Sequence, residues 1–116
     1  MTSPRIVYLN GAFLPFEEAR VPIMDRGFLF ADGIYEVSAI IDGKLVDNAA
    51  HLARLDRSLG EIGIRNPHDA AGWERLQTEL VARNGVTEGL VYMQVTRGVA
   101  ERDFAFAADA TEADAT

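Results

Sequence analysis

Arg54 and Arg57 stand three residues apart in "HLARLDRSL", and Arg97 and Arg102 stand five apart in "TRGVAERDF". An arginine offers a planar, permanently charged fork that fits carboxylate and phosphate oxygens two at a time, so repeated arginines near one end of a sheet would cradle a doubly anionic ligand. Ten of the eleven basic residues are arginine, leaving Lys44 as the sole lysine. Any imine chemistry would therefore fall on Lys44, which sits at the Asp42-Gly43 turn signal, where a hydrated ammonium is expected. His51 and His68 are far apart in sequence and belong to no metal-ligand spacing, so no metal is expected. There is no cysteine, which removes disulfide and thiolate chemistry. Periodicity alone favours the plainer account of the arginines: Arg54 lies roughly a third of a turn from the centre of a leucine stripe, a flank or surface position.

A second group of reactive types is packed into "DRGFLFADGIYEV", residues 25 to 37. It mixes Asp25, Arg26, Asp32 and Glu36 with Phe28, Leu29, Phe30, Ile34, Tyr35 and Val37, too apolar for a surface loop and too charged for a plain core strand. Read locally, Asp25 and Arg26 form an ion pair that closes a turn, Asp32-Gly33 caps or kinks it, and the phenylalanines are core.

These residues need elements to place them. "RIVYLNGAFLPF" reads as two strands about Asn10-Gly11, and "VSAIIDGKLVD" repeats the device about Asp42-Gly43, both dipeptides suited to tight hairpins. The stretch between them, entered after Pro22, is expected to be a compact loop or single helical turn leading into a strand at Tyr35. Leu52, Leu55, Leu59 and Ile62 recur at helical spacing, with Asn48 as the cap. A second helix is expected from about Asp69 to Asn84, carrying Trp73, Leu76, Leu80 and Val81 on one face and stopped by Gly85. "GLVYMQVTRG" is the strongest strand signal, and Arg97-Gly98 leave the sheet. The order predicts an α+β fold: one largely antiparallel sheet containing residues 5–16, 36–47 and 90–97, with two helices on one face. Residues 1–106 form this domain, and 107–116, "AADATEADAT", form an acidic linker or disordered tail. With net charge −7 and pI near 4.7, nucleic acid and anionic membranes are not expected partners. No signal peptide or membrane span is legible, so a cytoplasmic location is the expectation.

Taken together and in register, "DRGFLFADGIYEV", "HLARLDRSL" and "GLVYMQVTRGVAERDFAF" resemble the fold-type IV aminotransferases, which use pyridoxal 5'-phosphate. The likeness runs from residue 5 to about 106 and is closest to the D-amino-acid (D-alanine) aminotransferases, whose relatives include branched-chain aminotransferases and aminodeoxychorismate lyase. The resemblance implies that the chain is the N-terminal domain of a homodimeric enzyme exchanging an amino group between a small amino acid and a 2-oxo acid. A branched-chain or lyase-like member is the alternative within the family, and a non-catalytic stand-alone fragment the alternative outside it. By motif, Arg54 would bind the cofactor phosphate, against the surface reading above. Tyr35 and Val37 would face the cofactor cavity, Tyr35 helping to place the substrate carboxylate that Arg102 binds. Phe104 stands where D-selective members carry a histidine, so that trap lacks one hydrogen-bond donor and the stereochemistry is left open. The family's Schiff-base lysine lies in a second domain, so no catalytic residue is expected among these 116 residues.

Overall fold

The computed structural model describes residues 5–100. Strands β1 (Ile6–Leu9) and β2 (Ala12–Pro15) form a hairpin, followed by a 3-10 turn over Phe16–Glu18. Helix α1 (Arg26–Phe30) leads into β3 (Gly33–Ile41), which turns through Asp42-Gly43 into the short β4 (Lys44–Leu45). Helices α2 (Asn48–Glu61) and α3 (Ala70–Asn84) follow, and β5 (Glu88–Thr96) is the last strand of the described chain. The class is α+β with antiparallel pairing throughout, as expected.

The sheet differs from the expected one in its extent. Strands β4, β3 and β5 form one ladder in that order, while β1–β2 stands as a separate ladder. The hairpin docks instead on α3. Asn84 Oδ1 accepts from the Ile6 amide at 2.9 Å and its Nδ2 donates to the Ile6 carbonyl at 3.0 Å, so one side chain replaces a strand partner. Both hairpin turns place an Asn or Asp and then a Gly at positive φ (47° and 94°, then 54° and 73°), the geometry those dipeptides tolerate.

The two faces of the three-stranded sheet are unlike. Ile40 of β3 and Val91, Met93 and Val95 of β5 are buried against Leu52, Leu55 and Leu59 of α2 and Trp73 and Val81 of α3. Alternation then sends Tyr35, Val37, Ala39 and Ile41, paired with Gln94, Tyr92, Leu90 and Glu88, to a face that no helix covers among the described residues. Helix α3 stops at Gly85 as expected, at φ 61°, and the Asp69 carboxylate caps its start by accepting from Gly72. The cap of α2 is not Asn48. Asp47 is the N-cap residue, with no side-chain cap bond, and Asn48 is the first helical residue. Its amide is drawn to an interior task, donating to Gln77 at 2.8 Å and lying 3.3 Å from the Ser38 hydroxyl, so it ties α2 to α3 and β3. No helix among the described residues is long and apolar enough to cross a membrane.

Candidate functional site

The stretch 25–33 is a lock that joins the start of β3 to the end of β5. Asp25 does not pair with Arg26. Its Oδ1 caps α1 by accepting from Gly27 at 2.8 Å and also accepts from the Thr96 hydroxyl at 2.7 Å. Arg26 turns to Asp32 instead, and Asp32 Oδ2 accepts from Arg26 Nε and Arg97 Nε, both at 2.8 Å. Asp25, Arg26, Asp32 and Arg97 are all buried. A lone carboxylate would be costly to bury at position 32, and the two guanidinium groups offset that cost. The backbone closes the same seam, with the Arg26 amide on the Gly98 carbonyl at 2.8 Å and Asp25 bridged to Val99. The apolar residues serve unevenly: Phe28 is exposed, while Phe30 lies under the Arg26 guanidinium. The lock thus fixes the chain through Gly98 and Val99.

Arg97 is therefore structural. It also donates to the Ile62 and Gly63 carbonyls, anchoring the loop after α2. Of the four arginines that were candidates for an anion cradle, Arg54 and Arg57 are exposed on α2 and Arg97 is buried in the lock. Arg102 lies outside the described residues, as does Phe104. Lys44 is exposed at its hairpin turn, as expected. His51 is on the flank of α2, and His68 packs edge-on against Trp73 and Tyr8. Among the described residues no His, Cys, Asp and Glu side chains gather into a metal-binding group.

Of Arg54, Arg57 and Arg97, Arg54 combines exposure with a fixed geometry. Its Nε donates to Glu36 Oε2 at 2.7 Å and its Nη2 to Glu36 Oε1 at 2.9 Å, while His51 Nδ1 lies 2.9 Å from the same Oε1. The Glu36 side chain is 5% exposed and that of Arg54 57%. The Arg54 hydrogen bonds hold the Glu36 carboxyl below the ordinary glutamate range; burial works against this, and His51 adds to the lowering. Glu36 in turn raises the Arg54 pKa, so the guanidinium stays charged. Sequence reasoning passed over Glu36. The signal was there, since alternation puts it on the buried face with Ile34, Ser38 and Ile40, and an inward glutamate requires a cationic partner.

Tyr35 and Val37 share the uncovered face, as expected for alternate positions; Tyr35 is 65% exposed and stacks on Tyr92 with centroids 5.6 Å apart. They and Arg54 thus lie on opposite faces of β3. The edge between those faces is largely open: β4 pairs only with Ile40 and Ile41, the Val46 amide donates to the Ala39 carbonyl at 2.9 Å, and residues 33–38 of that edge have no strand partner among the described residues. An open strand edge, with an aromatic face on one side and an arginine fork on the other, suits a flat ring that carries a phosphate. A cleft of about 840 Å³ between β1–β2 and β5 is a different place, lined by Tyr8, His68, Trp73 and Gln77 and by none of Tyr35, Val37 or Arg54.

The chain's sequence matches the family model for amino-transferase class IV over residues 33–115. It is 41% identical over 100 residues to D-alanine aminotransferase of Staphylococcus aureus, covering 86% of this chain and 36% of that protein. It thus spans about a third of the length of the curated relatives it matches. Among solved structures, 4-amino-4-deoxychorismate lyase from Pseudomonas aeruginosa is 31% identical with a TM-score of 0.60, over 75% of this chain and 31% of that one. A T.th. branched-chain amino acid aminotransferase, solved with N-(5'-phosphopyridoxyl)-L-glutamate, shares the fold at a TM-score of 0.77 and 20% identity, over 95% of this chain and 37% of that one.

Proposed function

This chain belongs to the amino-transferase class IV family, and we propose that it forms the cofactor-phosphate and substrate wall of a pyridoxal-phosphate aminotransferase acting on a small D-amino acid and a 2-oxo acid. The observation that carries this reading is the Arg54 fork, held by buried Glu36 on the strand whose other face carries the stacked Tyr35. Arg54 holds the phosphate. Tyr35 and Val37 form the side of the cavity against the ring, and Arg102, three residues beyond Val99 in sequence, takes the substrate carboxylate. Pyridoxal phosphate, when bound, supplies the electron sink that lets an amino acid lose its Cα proton. This chain's residues bind, orient and exclude water; none moves a proton. Lys44, the only lysine, is exposed at a hairpin turn rather than enclosed in a site. The reading therefore assigns the reactive amine to sequence outside these 116 residues, and the chain alone is inactive. A homodimer in the cytoplasm accompanies this reading; the uncovered apolar face supports the association.

The kinship with D-alanine aminotransferases favours that activity over a branched-chain or lyase-like one. The test is equilibrium binding of pyridoxal phosphate and of unphosphorylated pyridoxal to the chain and to Arg54→Ala. The parent should prefer the phosphorylated form and lose the preference in high salt, since an exposed charge-assisted contact is weak and readily screened. Arg54→Ala should bind both alike. An unchanged preference in the variant would refute the assignment.

A further inference from the structure

Glu36 is an ionised carboxylate on the buried face of β3, between Ile34 and Ser38 and opposite Met93. An apolar residue would fill that position at no electrostatic cost, and replacing a buried ion pair with apolar groups is often neutral or stabilising. Helix α2 needs no such tether, since Leu52, Leu55 and Leu59 already bury it and Asn48 bonds it to its neighbours. What the carboxylate does do is take two particular N–H groups of Arg54. Its oxygens occupy the Nε–H and one Nη2–H, leaving both Nη1–H and the second Nη2–H. The remaining donors form the end-on fork, directed away from the Glu36 edge on a side chain that is more than half exposed. The His51 ring lies on Oε1, and as the Nδ1–H tautomer it fills a further lone pair and keeps the carboxylate from rotating.

We propose that Glu36 is a positioning residue that sets the Arg54 fork, before any ligand arrives, to receive two oxygens of a phosphate monoester. The inference rests on the anion-binding role of Arg54 given above. Two effects of Glu36 oppose each other. Its charge offsets that of Arg54 and weakens attraction for an anion; its grip removes the rotamer freedom of a long side chain and so favours binding. The grip prevails, because the carboxylate sits on a different edge of the guanidinium from the fork while the stem would otherwise sample solvent.

Two variants separate these effects. Glu36→Asp keeps the charge and shortens the reach, and Glu36→Gln keeps the shape and loses the charge. The full 116-residue chain, nitrogen-15 labelled, is titrated with inorganic phosphate, pyridoxal phosphate and pyridoxal while the Arg54 Nε–H signal is followed. The parent should show a slowly exchanging Nε–H that shifts with both phosphates and not with pyridoxal. Both variants should lose that signal and bind both phosphates about tenfold more weakly, with pyridoxal unaffected. Tighter or unchanged phosphate binding in Glu36→Gln, or unchanged binding in Glu36→Asp, would overturn the positioning role and leave the Arg54 site standing. No shift of Arg54 with phosphate in the parent would overturn the site and the inference together. Should the Glu36 variants not fold, Arg54→Lys keeps the charge without the fork; phosphate affinity equal to the parent's would equally defeat the proposal.

Discussion

At residue 36 a negative charge lies on a strand face otherwise lined by Ile34, Ser38 and Ile40, and its stability depends on Arg54 and His51. An acid whose folded pKa is depressed stabilises the fold above its unfolded pKa, and that contribution is lost as pH falls through the folded pKa. For Glu36 the loss therefore begins below the ~4.3 of a free glutamate. Arg54→Ala should lower the urea midpoint at neutral pH, because it strands the buried carboxylate. The difference should shrink on acidification, because the stranded carboxyl, which burial pushes up once Arg54 is gone, takes up its proton before the paired one does. Urea unfolding of parent and variant at a series of pH values checks this, and a gap that stays constant into acid would contradict it. At this scale the sequence was partly legible. The helical wheel placed Arg54 at the surface, where it is, and the motif suggested a role for it. The partner of Glu36 depends on how α2 crosses β3, which no periodicity contains. The adjacent pair Asp25 and Arg26 misled for a similar reason: the capping need of α1 and the Thr96 hydroxyl claim Asp25, and Arg26 finds Asp32.

Among the elements, α1 is packed against β5 so closely that Gly27 admits no side chain: a Cβ there would collide with the Thr96 methyl. Gly27→Ala should destabilise by about 2 kcal/mol or more, through overpacking and displacement of the Thr96–Asp25 bond. Gly60, within α2, has nothing within 4 Å of such a Cβ, and Gly60→Ala should stabilise by about 0.5–1 kcal/mol. Thermal or urea unfolding of the two variants should give opposite signs; the same sign for both would contradict the packing described. Asn48→Ala removes the bridge among Ser38, Gln77 and α2 and should cost about 1–3 kcal/mol, measured the same way. Element type and order were legible, because the turn dipeptides, the leucine stripe and the Gly85 stop are local signals. The separation of β1–β2 from the main sheet was not. Nothing local in "RIVYLN" announces that Asn84, 78 residues away, will bond Ile6.

For the whole molecule, the uncovered sheet face is the main consequence of the fold. Tyr35, Ile41, Leu90 and Tyr92 are all more than half exposed there, and Phe28 is exposed at the end of the lock. Apolar patches of this kind favour association. Sedimentation velocity should show weight-average mass rising with concentration, and a strict monomer across a wide concentration range would contradict that expectation. Three motifs in register made the family legible from sequence. The open edge of β3 came only from its pairing, with β5 along its whole length and with β4 at Ile40 and Ile41 alone. The central claim is that this chain holds a phosphate fork and a substrate wall without the reactive amine. The most direct measurement mixes the purified chain with pyridoxal phosphate, reduces with borohydride and maps modified lysine by mass spectrometry, alongside an assay with D-alanine and 2-oxoglutarate. The account predicts no stoichiometric adduct on Lys44, which is exposed at a hairpin turn, and no turnover. A single stoichiometric adduct on Lys44 with amino-group transfer would contradict it.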